Sequence, residues 1–382
     1  MPSTARTVLT PAAIARLLIG WGSVGALAAL TPALTATPAT PVLAVALAVI
    51  VGIILVCSFG VVAEAEALAD LLGDPYGTLV LTLSIALIEV TLISSVMLGP
   101  GDHQTIARDS VVAVSMIILN LVIGLSLVVG ARRHGPMLPN RRGVAQYLML
   151  TLLFSAIAFV LPHPLGTDGA LSARIGVLVA VLVTGVYAVF LVRQMGRGKR
   201  DFQEAAAGAP HPADAAPGSS SAAVGEGPTG AARVLVLRTL LLIALALPIV
   251  LISQSMAALL DIAVTRAQAP VALSGLLIAA IVFLPETITS VRAGAAGEIQ
   301  RVSNLCHGAL VSTVGLTIPS VLIIGALTGQ RVVLAASWPE IAIMAITLVL
   351  TAAGFLRGRI GAGFGWGHLG LFAVYAAVVL VG

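Results

Sequence analysis

Eleven long apolar runs, each bounded by charged residues, proline or glycine, constrain this chain more than any other feature. A helix needs about 20 apolar residues to cross the hydrocarbon core of a bilayer, and the runs are close to that length. Only 9% of the residues are charged, whereas a soluble domain carries about 25%. We therefore predict an all-α integral membrane protein with about eleven transmembrane helices, at residues 12–31, 42–62, 77–98, 110–131, 145–161, 171–194, 234–258, 271–293, 304–328, 334–356 and 364–381.

The basic residues predict how these helices are oriented. With eleven spans, all but four of the 20 Lys and Arg residues fall on the side of the N-terminus, and the four exceptions are Arg108, Arg174, Arg266 and Arg331. Basic loops remain in the cytoplasm. We therefore expect a multi-pass protein of the plasma (inner) membrane with a cytoplasmic N-terminus and an outside C-terminus. The positive charge serves this orientation, so no nucleic-acid partner is expected.

A polar stretch at residues 196–232, rich in Ala, Gly, Pro and Ser, divides the chain. Its composition is typical of a flexible linker, which we place in the cytoplasm. It separates an N-terminal helix (1–35) and a first five-helix repeat (40–195) from a second five-helix repeat (233–382). Because five is an odd number, the two repeats enter the membrane in opposite orientations. This is the inverted-repeat plan of many secondary transporters, whose ion site lies near the midplane.

The second span of each predicted repeat carries a glutamate at the same position. One span reads GTLVLTLSIALIEVTLISSV from Gly77 and the other reads SGLLIAAIVFLPETITSV from Ser274. An alignment without gaps places Glu89 on Glu286, about twelve residues into each span. A charged side chain at the bilayer centre costs on the order of 2.5–3.5 kcal/mol. Two such costs at matched positions indicate a functional site.

Two facing carboxylates predict cation and proton exchange. Their hard oxygen atoms suit calcium or sodium and not soft metals. Burial and mutual repulsion disfavour an ionised empty pair, so either a divalent cation or two protons would neutralise it. If the site changes sides only when it is neutral, the cation and the protons must exchange. Our hypothesis is therefore antiport. In this hypothesis Glu89 and Glu286 are the ligands of the transported cation and protons.

Five further polar residues are predicted to support the site: Thr82, Asn120, Thr289, Ser290 and Ser312. Three of them share a helix face with a glutamate, because they lie three, four or about seven residues from it. Asn120 and Ser312 lie in the third span of each repeat, where hydrogen bonding between helices is an equal alternative. Pro285 removes a helix hydrogen bond beside Glu286, so we expect a bent or broken helix there.

Two other groups of titratable residues each have two interpretations. His307 follows Cys306 and is either a metal ligand or a proton relay, although adjacent residues point in different directions on a helix. The second span ends in four acidic residues, which form either a solvated helix end or a vestibule that attracts cations: Glu64, Glu66, Asp70 and Asp74.

Two segments resemble a known family. Residues 66–94 (EALADLLGDPYGTLVLTLSIALIEVTLIS) and 284–321 (LPETITSVRAGAAGEIQRVSNLCHGALVSTVGLTIPSV) resemble the repeat motifs of bacterial ChaA-type calcium/proton and sodium/proton antiporters. These belong to the cation/proton exchanger branch of the calcium/cation antiporter superfamily. The resemblance implies that one acidic residue from each motif, Glu89 and Glu286, binds the ion. The family places Gly-Asn-Ala-(Thr/Ala) before each glutamate, where this chain has Ala86-Leu87-Ile88 and Phe283-Leu284-Pro285.

The leading functional prediction is therefore a calcium/proton antiporter, and the alternative is a monovalent (Na⁺ or K⁺)/proton antiporter with little calcium transport. A channel would need a filter-like loop, which the sequence does not offer. The H-E-x-x-H and G-x-S-x-G motifs of intramembrane enzymes are absent, so no enzyme is predicted. The expected partners are inorganic cations, protons and the lipid bilayer, without a cofactor. The oligomeric state is left open.

Overall fold

The structure, a computed structural model, describes residues 8–36, 39–72, 104–196, 198–203, 228–270 and 272–381, together with nine residues scattered between 83 and 98. The described part is helical. Its helices are α1 (Pro11–Thr35), α2 (Thr40–Leu72), α3 (Ile106–His134), α4 (Arg141–Leu165), α5 (Ala173–Met195), a 3₁₀ turn (Lys199–Phe202), α6 (Pro228–Arg266), α7 (Ala272–Val282), α8 (Leu284–Ala296), α9 (Ile299–Thr328), α10 (Trp338–Leu356) and α11 (Ala362–Val381).

The predicted all-α membrane architecture is confirmed. Nine of the described helices are long and apolar enough to cross a membrane, and the bent pair α7 and α8 makes a tenth span. The predicted span at 77–98 lies largely outside the described residues. Several helices run further than predicted, and the longest extensions at a C-terminal end are those of α2 to Leu72 and α6 to Arg266. The extensions include charged residues, such as Glu64 of α2 and Asp261 of α6, which a span defined by apolar residues alone leaves out.

The predicted linker differs from the structure at both of its ends. Residues Lys199–Phe202 form a 3₁₀ turn whose Phe202 is buried, and Asn304 Nδ2 on α9 donates to the Phe202 carbonyl at 2.6 Å. At the other end, α6 begins at Pro228, because Pro is favoured in the first turn of a helix. The flexible linker therefore stays a prediction for residues 204–227, which lie outside the described residues.

Helices α3 and α9 lie at the centre of the bundle and are buried over most of their length. They are the third helices of the two predicted repeats. The outer helices carry exposed apolar side chains, such as Leu178 and Val181 on α5, as expected for surfaces that face lipid. The polar residues of the chain's interior therefore gather around α3 and α9.

Glycines allow α3 to touch its neighbours at the backbone. A Cβ atom at Gly294 on α8 would lie 2.6 Å from the Ser126 carbonyl oxygen of α3, and one at Gly130 would lie 2.6 Å from the Gly294 carbonyl oxygen. On the other face, a Cβ atom at Gly365 of α11 would lie 2.8 Å from the Gly124 carbonyl oxygen. Small residues are the usual means of close helix packing in membranes.

The first helices of the two repeats, α2 and α6, pack along each other. At the end of α2 nearest the linker, Glu64 forms an ion pair of 2.8 Å with Arg238 of α6. Glu64 belongs to the acidic group that the sequence placed at this helix end, and here it is paired. Asp74 of the same group lies outside the described residues.

Candidate cation and proton site

The break between α7 and α8 places Glu286 at a helix end. The two helices meet at Phe283 with a bend of 55°, and Pro285, which has no amide hydrogen, cannot continue the hydrogen-bond ladder. Glu286 lies in the first turn of α8 and its carboxylate accepts a hydrogen bond from its own backbone N–H. The predicted break is thus present. Carbonyl groups at the end of a broken helix are common cation ligands in transporters.

Each of the two glutamates has one carboxylate oxygen that makes no hydrogen bond to the residues that the structure describes. Glu89 is 3% exposed, its Oε2 accepts a hydrogen bond of 2.5 Å from Thr313 Oγ1, and its Oε1 has no hydrogen-bond partner among the described residues. Glu286 is half-buried as a residue, but its Oε2 is buried and likewise has no partner in the described part of the chain. Buried polar atoms are normally hydrogen-bonded, so these two oxygens are open positions for a ligand.

Glu89 faces the helix break, and Glu286 lies in the first turn on the far side of that break. Glu89 lines a small cavity of about 10 Å³ together with Ser110, Val114 and Phe283, the residue at the helix break. A cavity of this volume holds about one water molecule. None of the ion pairs between described residues includes Glu89 or Glu286. The structure therefore places both predicted acids at the helix break, and no ion pair within the described part of the chain neutralises either of them.

Two of the predicted supporting residues lie on α8 beyond Glu286. Thr289 Oγ1 donates to the Pro285 carbonyl at 3.1 Å. Ser290 is 1% exposed and accepts a weak hydrogen bond from Cys306 Sγ of α9 at 3.6 Å. Both hydroxyls therefore lie within one turn of the glutamate, while their role as ligands stays a prediction.

The other predicted supporting residues are occupied elsewhere or lie outside the described residues. Ser312 Oγ and Tyr187 OH are hydrogen-bonded at 2.7 Å. Asn120 Nδ2 donates to Thr347 Oγ1 at 2.9 Å, which ties α3 to α10. Both residues thus hold helices together, the alternative that the sequence left open. Thr82 lies outside the described residues.

Thr313 is the residue that the sequence reasoning placed in the right span but did not select. It is the residue after Ser312, and its hydroxyl is the donor to Glu89. Because α9 is buried on nearly every side, polar periodicity does not show which face meets the carboxylate. The sequence therefore identifies this helix through Ser312 but not the residue that meets Glu89.

Comparisons with known proteins identify the family of this chain. The model of the family described as sodium/calcium exchanger protein matches residues 42–196 and again residues 237–381, one match in each half of the chain. This chain belongs to the sodium/calcium exchanger protein family. It is a multi-pass membrane protein that exchanges cations with protons or with other cations.

Two curated relatives cover most of the chain. The sodium-potassium/proton antiporter ChaA of Escherichia coli (strain K12) is 31% identical over 342 residues, which is 88% of this chain and 89% of ChaA. The putative ionic transporter y4hA of Sinorhizobium fredii (strain NBRC 101917 / NGR234) is 32% identical over 320 residues, 83% of each chain. The calcium/cation antiporter superfamily, first indicated by two short segments, is therefore confirmed.

Two solved structures share the fold of this chain. Native YfkE superposes with a TM-score of 0.68 at 15% identity, covering 96% of this chain and 99% of YfkE. The sodium-calcium exchanger NCX_Mj gives a TM-score of 0.54 at 16% identity, covering 88% of this chain and 98% of NCX_Mj. At these identities the likeness establishes the exchanger fold alone. The orientation of the termini stays a prediction.

Proposed function

We propose that this family member exchanges a cation for protons at a site made by Glu89 and Glu286. One observation carries the proposal: two acidic residues at one helix break, each with a buried carboxylate oxygen that has no partner among the described residues. A buried charge without a partner is costly. Binding a cation or protons removes that cost, so the site is stable only when one of them is bound.

Charge balance makes exchange obligatory in this proposal. Two carboxylates carry two negative charges, which one divalent cation or two protons neutralise. If the helices rearrange only around a neutral site, neither ligand crosses the membrane without the other returning. The broken helix supports this role, because irregular backbone within the membrane is tolerated where it lines a cavity.

Calcium is the first candidate, because a single Ca²⁺ balances both charges and favours carboxylate, carbonyl and hydroxyl oxygens. The carboxylates, the Thr313 hydroxyl and the carbonyl groups at the end of α7 are ligands of that type. A monovalent cation is the second candidate. It is supported by the 31% identity to ChaA, which is named as a sodium-potassium/proton antiporter, and by the absence of the family's Asn before each glutamate.

The test is cation-driven proton movement in proteoliposomes, measured with an internal pH dye under Ca²⁺, Na⁺ or K⁺ gradients. We expect native protein to move protons only when a cation gradient is present, and the most effective cation identifies the substrate. Glu89→Gln and Glu286→Gln are each expected to reduce exchange by at least about a hundredfold, since each removes one charge from a two-charge site.

Glu298→Gln is the matched control, because Glu298 is an exposed carboxylate that pairs with Arg301 at 3.0 Å on the surface. This variant is expected to retain native exchange. Undiminished exchange in both site variants would refute the assignment of Glu89 and Glu286. Proton movement by native protein without any cation gradient would refute obligatory exchange.

A further inference from the structure

Arg108 and Asp109 form an ion pair at the beginning of α3, on the side of the membrane opposite the linker, here called the far side. Successive spans alternate in direction, and α5 ends at Met195 beside the linker, so α3 and α5 both begin on the far side. The ion pair measures 2.7 Å, and the Asp109 side chain is only 10% exposed. The proposed cation site does not explain why these charges lie here.

Hydrogen bonds tie this pair to a loop of the second half. Asp109 Oδ1 accepts from Arg108 Nε at 2.8 Å, and Oδ2 accepts from Thr105 Oγ1 at 2.8 Å. Arg108 Nη1 also donates to the Ala335 carbonyl at 3.2 Å. Ala335 belongs to the loop between α9 and α10, and its amide donates to the carbonyl of Gly169 in the α4–α5 loop at 3.1 Å. Arg108 therefore connects the Asp109 carboxylate with the loops that cover the far side.

Asp109 lies at the far-side end of the cavity that Glu89 lines. The next residue of α3, Ser110, lines that cavity, and Ala279 of α7 lines it as well. Gly275 lies one turn before Ala279 on the same face of α7, and α7 begins on the far side because α6 begins beside the linker. A Cβ atom at Gly275 would lie 3.5 Å from Asp109 Cβ. The contact between α3 and α7 at Asp109 therefore lies between the cavity and the far side.

The Asp109 carboxylate needs a positive partner, because a largely buried charge without one is strongly destabilising. Among the ion pairs of the residues that the structure describes, Arg108 is that partner. The Arg108 side chain is 23% exposed, so it borders the water of the far side. Carboxylate oxygens are also the ligands that Ca²⁺ and other hard cations prefer. A cation that arrives from the far side therefore competes with Arg108 for the same carboxylate.

We propose that Asp109 receives the transported cation on the far side, ahead of Glu89, and that Arg108 occupies the Asp109 carboxylate when no cation is there. This inference rests on the proposed function. When the cation takes the place of Arg108, the guanidinium turns to the water that it already borders and releases the Ala335 carbonyl. The cation then passes between α3 and α7 to Glu89, and Arg108 returns to Asp109. Asp109 thus raises the local concentration of cations at one entrance, as negative groups in a cleft do.

The test measures the half-saturating cation concentration separately on each face of the membrane. Right-side-out and inverted membrane vesicles each expose one face, and an epitope tag within residues 204–227 identifies the linker face. The cation is Ca²⁺, Na⁺ or K⁺, whichever drives proton movement in native protein. We expect Asp109→Asn to raise the half-saturating concentration on the far side by about tenfold. The value on the linker face should stay within about twofold of native, since Asp109 serves one entrance.

Arg108→Gln is expected to act in the opposite direction on the same face. It removes the group that competes with the cation, so the half-saturating concentration on the far side should fall by about threefold, the usual strength of a partly exposed ion pair. Arg108→Lys keeps the charge and should behave as native protein. A role in folding alone does not produce opposite shifts that are confined to one face. The two arginine variants carry the test if Asp109→Asn does not fold.

Asp168→Asn is the matched control, because Asp168 is an exposed acid of the far side that pairs with Arg331 at 3.0 Å. It should leave both half-saturating concentrations unchanged. Three results overturn the role of Asp109 while the cation site stands: equal shifts on the two faces, an unshifted Asp109→Asn variant, or an Arg108→Gln variant whose far-side value does not fall. Absence of cation-dependent proton movement in native protein overturns the proposed function and this inference with it.

Discussion

At the scale of single residues, the hydroxyl of Thr313 distinguishes the two carboxylates, because it donates to Glu89 whereas Glu286 accepts from its own backbone. A hydrogen bond to a charged group contributes about 1.5–3 kcal/mol. Thr313→Val removes this donor, so we expect the apparent affinity for the transported cation to fall by about tenfold or more. The measurement is the cation concentration that gives half-maximal exchange.

Thr313→Ser keeps the donor and should retain nearly native affinity. Ser312→Ala is the neighbouring control, since Ser312 bonds Tyr187 and not a glutamate. A Thr313→Val variant with native affinity, or a Ser312→Ala variant with the larger loss, would show that this hydrogen bond does not support the cation.

The candidate acids were predictable from the sequence because each is a charge in an apolar span, which almost always has a functional reason. The neutral polar side chains around these acids could not be predicted from the sequence. Asn120, Ser312 and Thr313 are all buried polar residues, and hydrogen-bonding helices together requires the same residue types as binding an ion. His368 gave no signal either, because its partner Asn120 is 248 residues away in sequence.

At the scale of elements, the crossing of α3 and α8 depends on the absence of a side chain at Gly294. A Cβ atom there would overlap the backbone of α3 at Ser126, and backbone cannot move aside as a side chain does. We expect Gly294→Ala to destabilise the protein by about 1–3 kcal/mol, the usual cost of overpacking. Thermal unfolding in detergent measures this, with Gly52→Ala as control because a Cβ at Gly52 meets nothing within 4 Å. Equal melting temperatures for the two variants would contradict the close crossing.

The elements themselves were largely predictable, since the length of an apolar run sets the length of a span. The break at Pro285 followed from the missing amide hydrogen of proline. Helix ends were predicted less well, because α6 extends over 39 residues and the apolar pattern does not record how far a helix continues into water. The 3₁₀ turn at Lys199–Phe202 was missed because its few residues carry linker composition and are held by contacts distant in sequence.

At the scale of the whole molecule, the ion pair between Glu64 and Arg238 joins the leading helices of the two halves. Their side chains are 10% and 21% exposed, and removing one partner leaves a largely buried charge unpaired. We expect Glu64→Gln or Arg238→Gln to lower the melting temperature by several degrees, corresponding to about 1–3 kcal/mol. The exchanged pair Glu64→Arg with Arg238→Glu should recover part of the loss. A double variant no more stable than the sum of its single changes would show that the pair contributes nothing.

The 3₁₀ turn at Lys199–Phe202 connects the two halves of the protein. The chain leaves α5 in the first half, and Phe202 then packs against Tyr147 and Phe190 while Asn304 of the second half holds its carbonyl. The first residues of the linker therefore contact both halves of the protein before residue 204. The 3₁₀ turn therefore connects the end of α5 to α9, the helix that carries Thr313. A displacement of this turn would therefore reach the helix whose Thr313 hydroxyl donates to Glu89.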